Sequence, residues 1–344
     1  MVVQWKVPIG PRVSDVVTGR DTDQVYVAAD DCVTVMAGCD IAARIPVGAA
    51  TKRLILGADA AFLYVVGYDG SMRIIRTADH LCTTIYGNPS TAEAVSPSGC
   101  HIYTAHNARE SADSFISVTA AHDMSMSTVA IDNYATGMDL SSDGGHLYVA
   151  TSQLSSYTQY FPGSLSVIDT GQEAVVDAIS VPLSPDAVTA MPDGSRVLVT
   201  HHDIHAISAI DLERRSVTSM SLPDAPLYAA VTPDGSGVYV ICMQSLVAVN
   251  FVTKVVEIIP VGKMPRQLLF SADGKRAYVT DLASSTVAVV STSTNSLITA
   301  VDLGGQQEAM ALSRDGGRLY VADYWAGTLS AISIASVLRD ANAA

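Results

Sequence analysis

Short runs of β-branched and aliphatic residues recur along the whole chain, each ended by a cluster of polar and glycine residues. They repeat in one order: an apolar strand, a Ser/Pro-Asp-Gly turn, then a strand built around Tyr-Val. The clear copies are "AVSPSGCHIYTAH", "DLSSDGGHLYVAT", "TAMPDGSRVLVTH", "AVTPDGSGVYVIC", "LFSADGKRAYVTD" and "ALSRDGGRLYVAD", preceded by the looser "VVTGRDTDQVYVAAD" and "LILGADAAFLYVVGY". Aligned on the tyrosine, the anchors are Tyr26, Tyr64, Tyr103, Tyr148, Leu198, Tyr239, Tyr278 and Tyr320, spaced by 38, 39, 45, 50, 41, 39 and 42 residues. Eight anchors predict eight repeats.

After each anchor come a third strand, such as "SLSVIDT" or "TVAVVST", and a fourth, such as "AARIPVG" or "VVEIIPVG". Four strands in about forty residues make a propeller blade. The last repeat runs into "SVLRDANAA" with no fourth strand, whereas "VVQWKVPIG" near the start matches the fourth strands in pattern and in its Pro-x-Gly close. The expected fold is therefore all-β: an eight-bladed β-propeller of four-stranded blades forming one domain over residues 1–344. Its N-terminal strand, 2–10, completes the last blade, 305–344, in a velcro closure that leaves no exposed edge. The recurring turn aspartates are read as structural, because Asp-Gly and Ser-Gly pairs supply the positive φ that a tight turn needs.

Composition narrows the class. With 49% hydrophobic residues among 344, the chain can bury a large core. No apolar run reaches membrane-span length, and the opening "MVVQWKVPIG" lacks a signal-peptide stretch, so the chain reads as a soluble, cytoplasmic monomer, or as secreted or periplasmic if a leader has been removed. Five cysteines match no zinc-type spacing and fit a reducing compartment. A net charge of -14 argues against nucleic acid as the partner.

Through "VYVAAD", "LYVAT", "VLVTHH", "AYVTD" and "SLSVIDT", the sequence resembles the YVTN-repeat β-propeller family over essentially its whole length. The resemblance implies the fold and leaves the function open. Similar eight-bladed proteins include surface-layer-type and d-type haem propellers. The haem propellers keep a haem-ligating histidine in the turn entering the second blade, where this sequence has Lys52, which leaves His106 and His201 as ligands from other loops.

Propeller ligands normally sit over the channel, on the face that carries the second-to-third and fourth-to-first strand loops. The two longest repeats place their extra residues there, in "AHNARESADS" and "TSQLSSYTQYFPGS", the latter read as a partial lid. Counting twelve residues back from each anchor gives Ser14, Lys52, Thr91, Thr136, Asp186, Leu227, Arg266 and Glu308 at the channel mouth, all polar but Leu227. Arg12, Lys52, Arg53, Lys263 and Arg266 concentrate positive charge there in an acidic chain, and Tyr68, Tyr228, Tyr324 and Trp325 supply flat walls. Such a set suits a small anionic molecule or a peptide. "VLVTHHDIHAISAID" offers His201, Asp203 and His205 as donors, with His106 and Asp186 beside them, to zinc or copper. A noncatalytic binding propeller is thus set against a metal-assisted hydrolase, lyase or lactonase, and against a d-type haem carrier or maturation protein. No GxSxG, HExxH, P-loop or dinucleotide fingerprint supports catalysis.

Overall fold

The computed structural model describes residues 2–19, 24–57, 60–85, 90–107, 114–152 and 162–343. These residues form eight four-stranded antiparallel sheets, seven of which take their strands in chain order. In the eighth, Gln307–Leu312, Arg318–Asp323 and Thr328–Ser333 are joined on the outside by the N-terminal strand Val3–Pro8, as the strand count requires. Trp5 pairs with Ala331 and Val7 with Leu329, while Ser333 N donates to Val2 O at 2.9 Å and Ile9 N to Gly327 O at 2.8 Å. The strands gather into two compact units, Met1–Gly87 with Ile259–Ala344, holding blades 1, 2, 7 and 8, and Asn88–Ile258, holding blades 3 to 6.

Each anchor lies in the second strand of its blade and is buried. That strand packs on both faces, so the run is apolar without alternation, as in the fully buried Val238–Cys242. Burial raises the phenol of Tyr239 to about 12. The turns before these strands are built as expected. In blade 6, Gly235 has φ +74°, its N–H donates to Thr232 O at 2.8 Å, and the Asp234 carboxylate accepts from the Thr232 hydroxyl and Ser236 N. Those bonds hold Asp234 down at about 2, and the aspartates of the other Asp-Gly turns are lowered likewise.

The first strand of each blade pairs with the second strand only, leaving one edge of backbone groups without a sheet partner. Side chains from a neighbouring blade satisfy part of it. Asp15 accepts from Leu54 N at 2.7 Å, Asp139 from Ala190 N at 2.9 Å and Gln267 from Met310 N, while Thr91 and Thr189 donate to Ala135 O and Ala229 O.

One element was not anticipated. The tail, read only as supplying no fourth strand, is a helix, Ile334–Ala343. Ser333 caps it by accepting from Ser336 N at 3.3 Å, and Ile334, Val337 and Leu338, spaced to share one face, pack against Tyr278, Leu319 and Ile332 of blades 7 and 8.

Candidate functional site

Every first strand opens with a break in register, and the break falls at the position twelve before the anchor. The regular pairing skips Ser14, Lys52, Thr136, Leu227 and Glu308 singly, and Thr91, Asp186 and Arg266 together with the residue that follows. A bulge re-aims the side chain it carries, so the repeat presents one variable residue per blade on the same structural device. Three of the eight hydrogen-bond to backbone: Ser14 is buried and donates to Thr51 O at 2.7 Å, Thr91 donates to Ala135 O, and Thr136 donates to Ala150 O at 3.3 Å.

In the first unit, Lys52, Arg53 and Arg266 are exposed. Arg266 pairs with Glu308 at 3.1 Å and Arg12 with Asp30 at 2.5 Å, whereas Lys52 and Arg53 make no ion pair within 4.0 Å among the described residues. Tyr68 is 62% and Trp325 70% exposed. The Trp325 ring meets Tyr324 edge-on at 5.0 Å, and its N–H donates to Gln306 Oε1 at 2.6 Å. Desolvation raises the Tyr68 phenol, Tyr324, Glu308 and Asp15 raise it further, and Arg266 opposes them, so these groups share one field.

Asp15, beside the Ser14 bulge, escaped the sequence reading because a lone Asp in "VSDVV" carries no signal of depth. Burial raises its carboxyl to about 6, Leu54 N, Val16 N and the Arg53 charge oppose this, and Glu308 adds to it. A carboxyl whose folded pKa lies above its ordinary 3.8 favours the folded state below that value, and this contribution is lost as pH rises through about 6. The Asp15 carboxyl carbon is therefore expected to titrate near pH 6 in a carbon NMR titration. A midpoint at the ordinary value would contradict its burial.

In the second unit, Gly137 lies so close to blade 5 that a Cβ there would fall 2.2 Å from Asp186 O. Asp186 is half-buried, and desolvation raises its pKa against His202, with Asp203 reinforcing. Tyr228 is half-buried in the adjoining strand, Pro226–Val231. His202, passed over in favour of its neighbours, is the histidine whose charge acts on Asp186, and its Nδ1 lies 3.4 Å from Pro226 O.

The proposed metal donors are not brought together. His201 is the last residue of the strand Arg196–His201 and is 0% exposed, with Nδ1 3.0 Å from Leu183 O and Nε2 2.8 Å from Ser208 Oγ. Both ring nitrogens are thus engaged, one with the end of blade 4 and the other within blade 5. Asp203 and His205 are exposed in the turn that follows, where His205 takes φ +47°. His106 is buried in blade 3, stacked on Phe115 and bonded through Nε2 to Thr104 Oγ1 at 2.9 Å. Among the described residues no group of three or more His, Cys, Asp or Glu could hold a metal ion. The loop "SSYTQYF" and most of the insertion after His106 lie outside the described residues.

No family model and no curated protein matches the chain. Solved structures do. Hydrazine synthase of Kuenenia stuttgartiensis matches with a TM-score of 0.62 at 16% identity, over 96% of this chain and 98% of that one. The Cps50 (Swd1) β-propeller domain of Myceliophteria thermophila matches with a TM-score of 0.63 at 12% identity, over 96% and 99%. The fold is an eight-bladed β-propeller. At these identities the likeness fixes the architecture alone, and a fold shared by 1652 matching chains names no ligand. No described helix is long and apolar enough to cross a membrane.

Proposed function

We propose that the chain is a binding module that takes a small anionic molecule on the first unit, at the bulged strand starts of blades 2 and 7. One observation carries this reading. In a chain of net charge -14, Lys52 and Arg53 stand exposed and without an ion-pair partner among the described residues, just after Ala50, whose carbonyl accepts from the N–H of the exposed Tyr68 at 2.9 Å. Unpaired cations beside a flat aromatic face suit a carboxylate or phosphate carried on a planar or apolar body. Glu308 holds Arg266 in place, and Tyr324 and Trp325 extend the apolar wall. Asp186 and Tyr228 belong to the second unit and take no part in this site.

Citrate and glucose 6-phosphate, titrated at low ionic strength, are expected to bind the native chain. The double variant Lys52→Ala/Arg53→Ala should bind at least about tenfold more weakly, since each lost charge-assisted hydrogen bond is worth roughly 1.5–3 kcal/mol. Equal affinity for the variant would remove these two residues from the site. A charge effect without contact would show as a loss that vanishes at high salt.

A further inference from the structure

Arg73 lies in the third strand of blade 2, Met72–Arg76, paired with Val65 on one side and Thr84 on the other. The same register position holds Thr34, Ser117, Ser166, Ser208, Val247, Ala288 or Ser330 in the other blades, all small or apolar. Gly67, two residues beyond Val65, omits the side chain that is His201 in blade 5 and Asp281 in blade 7. A Cβ there would run into the Asp69 carboxylate and stand 3.0 Å from Ser71 Oγ and 3.4 Å from Arg73 Nη1, so this chain of groups occupies the room the missing side chain leaves.

Arg73 is 6% exposed. Its Nη1 donates to Ser71 Oγ at 2.6 Å, and Ser71 Oγ in turn donates to the exposed Asp69 at 2.5 Å. Among the described residues the guanidinium makes no ion pair within 4.0 Å, and its Nε is buried with no partner. Thr51, which pairs directly with Gly67, carries a second buried and unpartnered polar atom, its hydroxyl. A buried guanidinium with unmet donors is costly to fold around, and an arginine fork has the geometry to close on two oxygens of a carboxylate or phosphate.

We propose that Arg73, with the Thr51 hydroxyl, is an oxyanion subsite beneath the turn Gly67–Ser71. Resting on the binding role proposed above, it forms the inner end of a site whose outer cations are Lys52 and Arg53, the two residues that follow Thr51 in the same strand.

The test uses the full chain with inorganic phosphate and malonate as probes, against chloride at equal ionic strength, reading the thermal midpoint. Either probe should raise the native midpoint along a saturating curve. The unsaturating rise that excluded salts give to any protein is measured on the variant Arg73→Met. In that variant the midpoint without anion should stay within a few degrees of the native one, because loss of the buried Nε without a partner offsets loss of the link through Ser71 to Asp69, and apparent affinity should fall by about ten- to a hundredfold. The conservative Arg73→Lys should fold and bind with intermediate affinity. Response to phosphate alone, malonate alone or both assigns the oxyanion class and supports the subsite. Saturation by neither probe overturns it, as does an Arg73→Met or, should that not fold, an Arg73→Lys protein whose response matches the native one. Loss of saturation in Lys52→Ala/Arg53→Ala with full retention in Arg73→Met would overturn the subsite and leave the outer site standing. The reverse pattern would keep the subsite and remove the outer cations.

Discussion

Deleting residues 1–9 is expected to produce a chain that aggregates and melts well below the intact protein. The deletion strips the outer partner from Thr328–Ser333, exposing a row of unpaired backbone groups along that strand, and such an edge invites pairing with another chain. It also removes Trp5 and Val7 from the cluster around Tyr320, where the Trp5 and Tyr320 rings lie 5.9 Å apart, and with them the buried Ile9. Half-burying two large side chains and burying a third is worth about 5 kcal/mol, which corresponds to a fall of about 7 °C in a domain of this size. Light scattering and calorimetry read both effects. A monomer that melts with the native protein would mean that the strand only decorates the last blade.

His201→Ala is expected to injure the fold, not to release a metal. The substitution opens a cavity in a position with no solvent exposure and leaves Leu183 O and Ser208 Oγ without their ring partners. Together these cost about 3 kcal/mol, or about 4 °C. Burial lowers the pKa of His201 below 6.5, and the hydrogen bond to Leu183 opposes this only in part. Neutral His201 therefore supports the folded state above 6.5, and that support is lost as pH falls through its lowered folded value, so the variant should lose less at pH 5 than at pH 8. His205→Ala, in the exposed turn, should leave the midpoint where it was. If both variants melted like the native chain, His201 would not be the buried bridge described here.

The period of the repeat made the fold legible, since eight copies of the same turn and anchor admit few architectures, and counting back from the anchor located every bulge. Depth was harder to read. His201 and Arg73 occupy second and third strands buried on both faces, where no polar–apolar alternation marks which way a side chain points. In "VLVTHHDIH" a histidine at the end of the strand therefore looks like one in the turn that follows. Arg73 is tied to Ser71 and Asp69 of the preceding turn, in room left by Gly67, six residues away in sequence and on another strand. The helix was within reach, because Ile334, Val337 and Leu338 carry helical spacing, but a pattern read only for strands stops at the last one.

The pairing of Val3–Pro8 with Thr328–Ser333 also has a consequence in time. Val3–Pro8 leaves the ribosome well before the rest of the last blade, and its partner strand is not made until more than three hundred further residues have followed. Throughout synthesis Trp5 and Val7 have no cluster to join, and the contact that finishes the sheet is among the longest-range in the chain, the kind whose loop-closure entropy slows folding. Closure of the last blade is thus the step at which a slow phase, and the need for a chaperone's hold on the N-terminal segment, should appear.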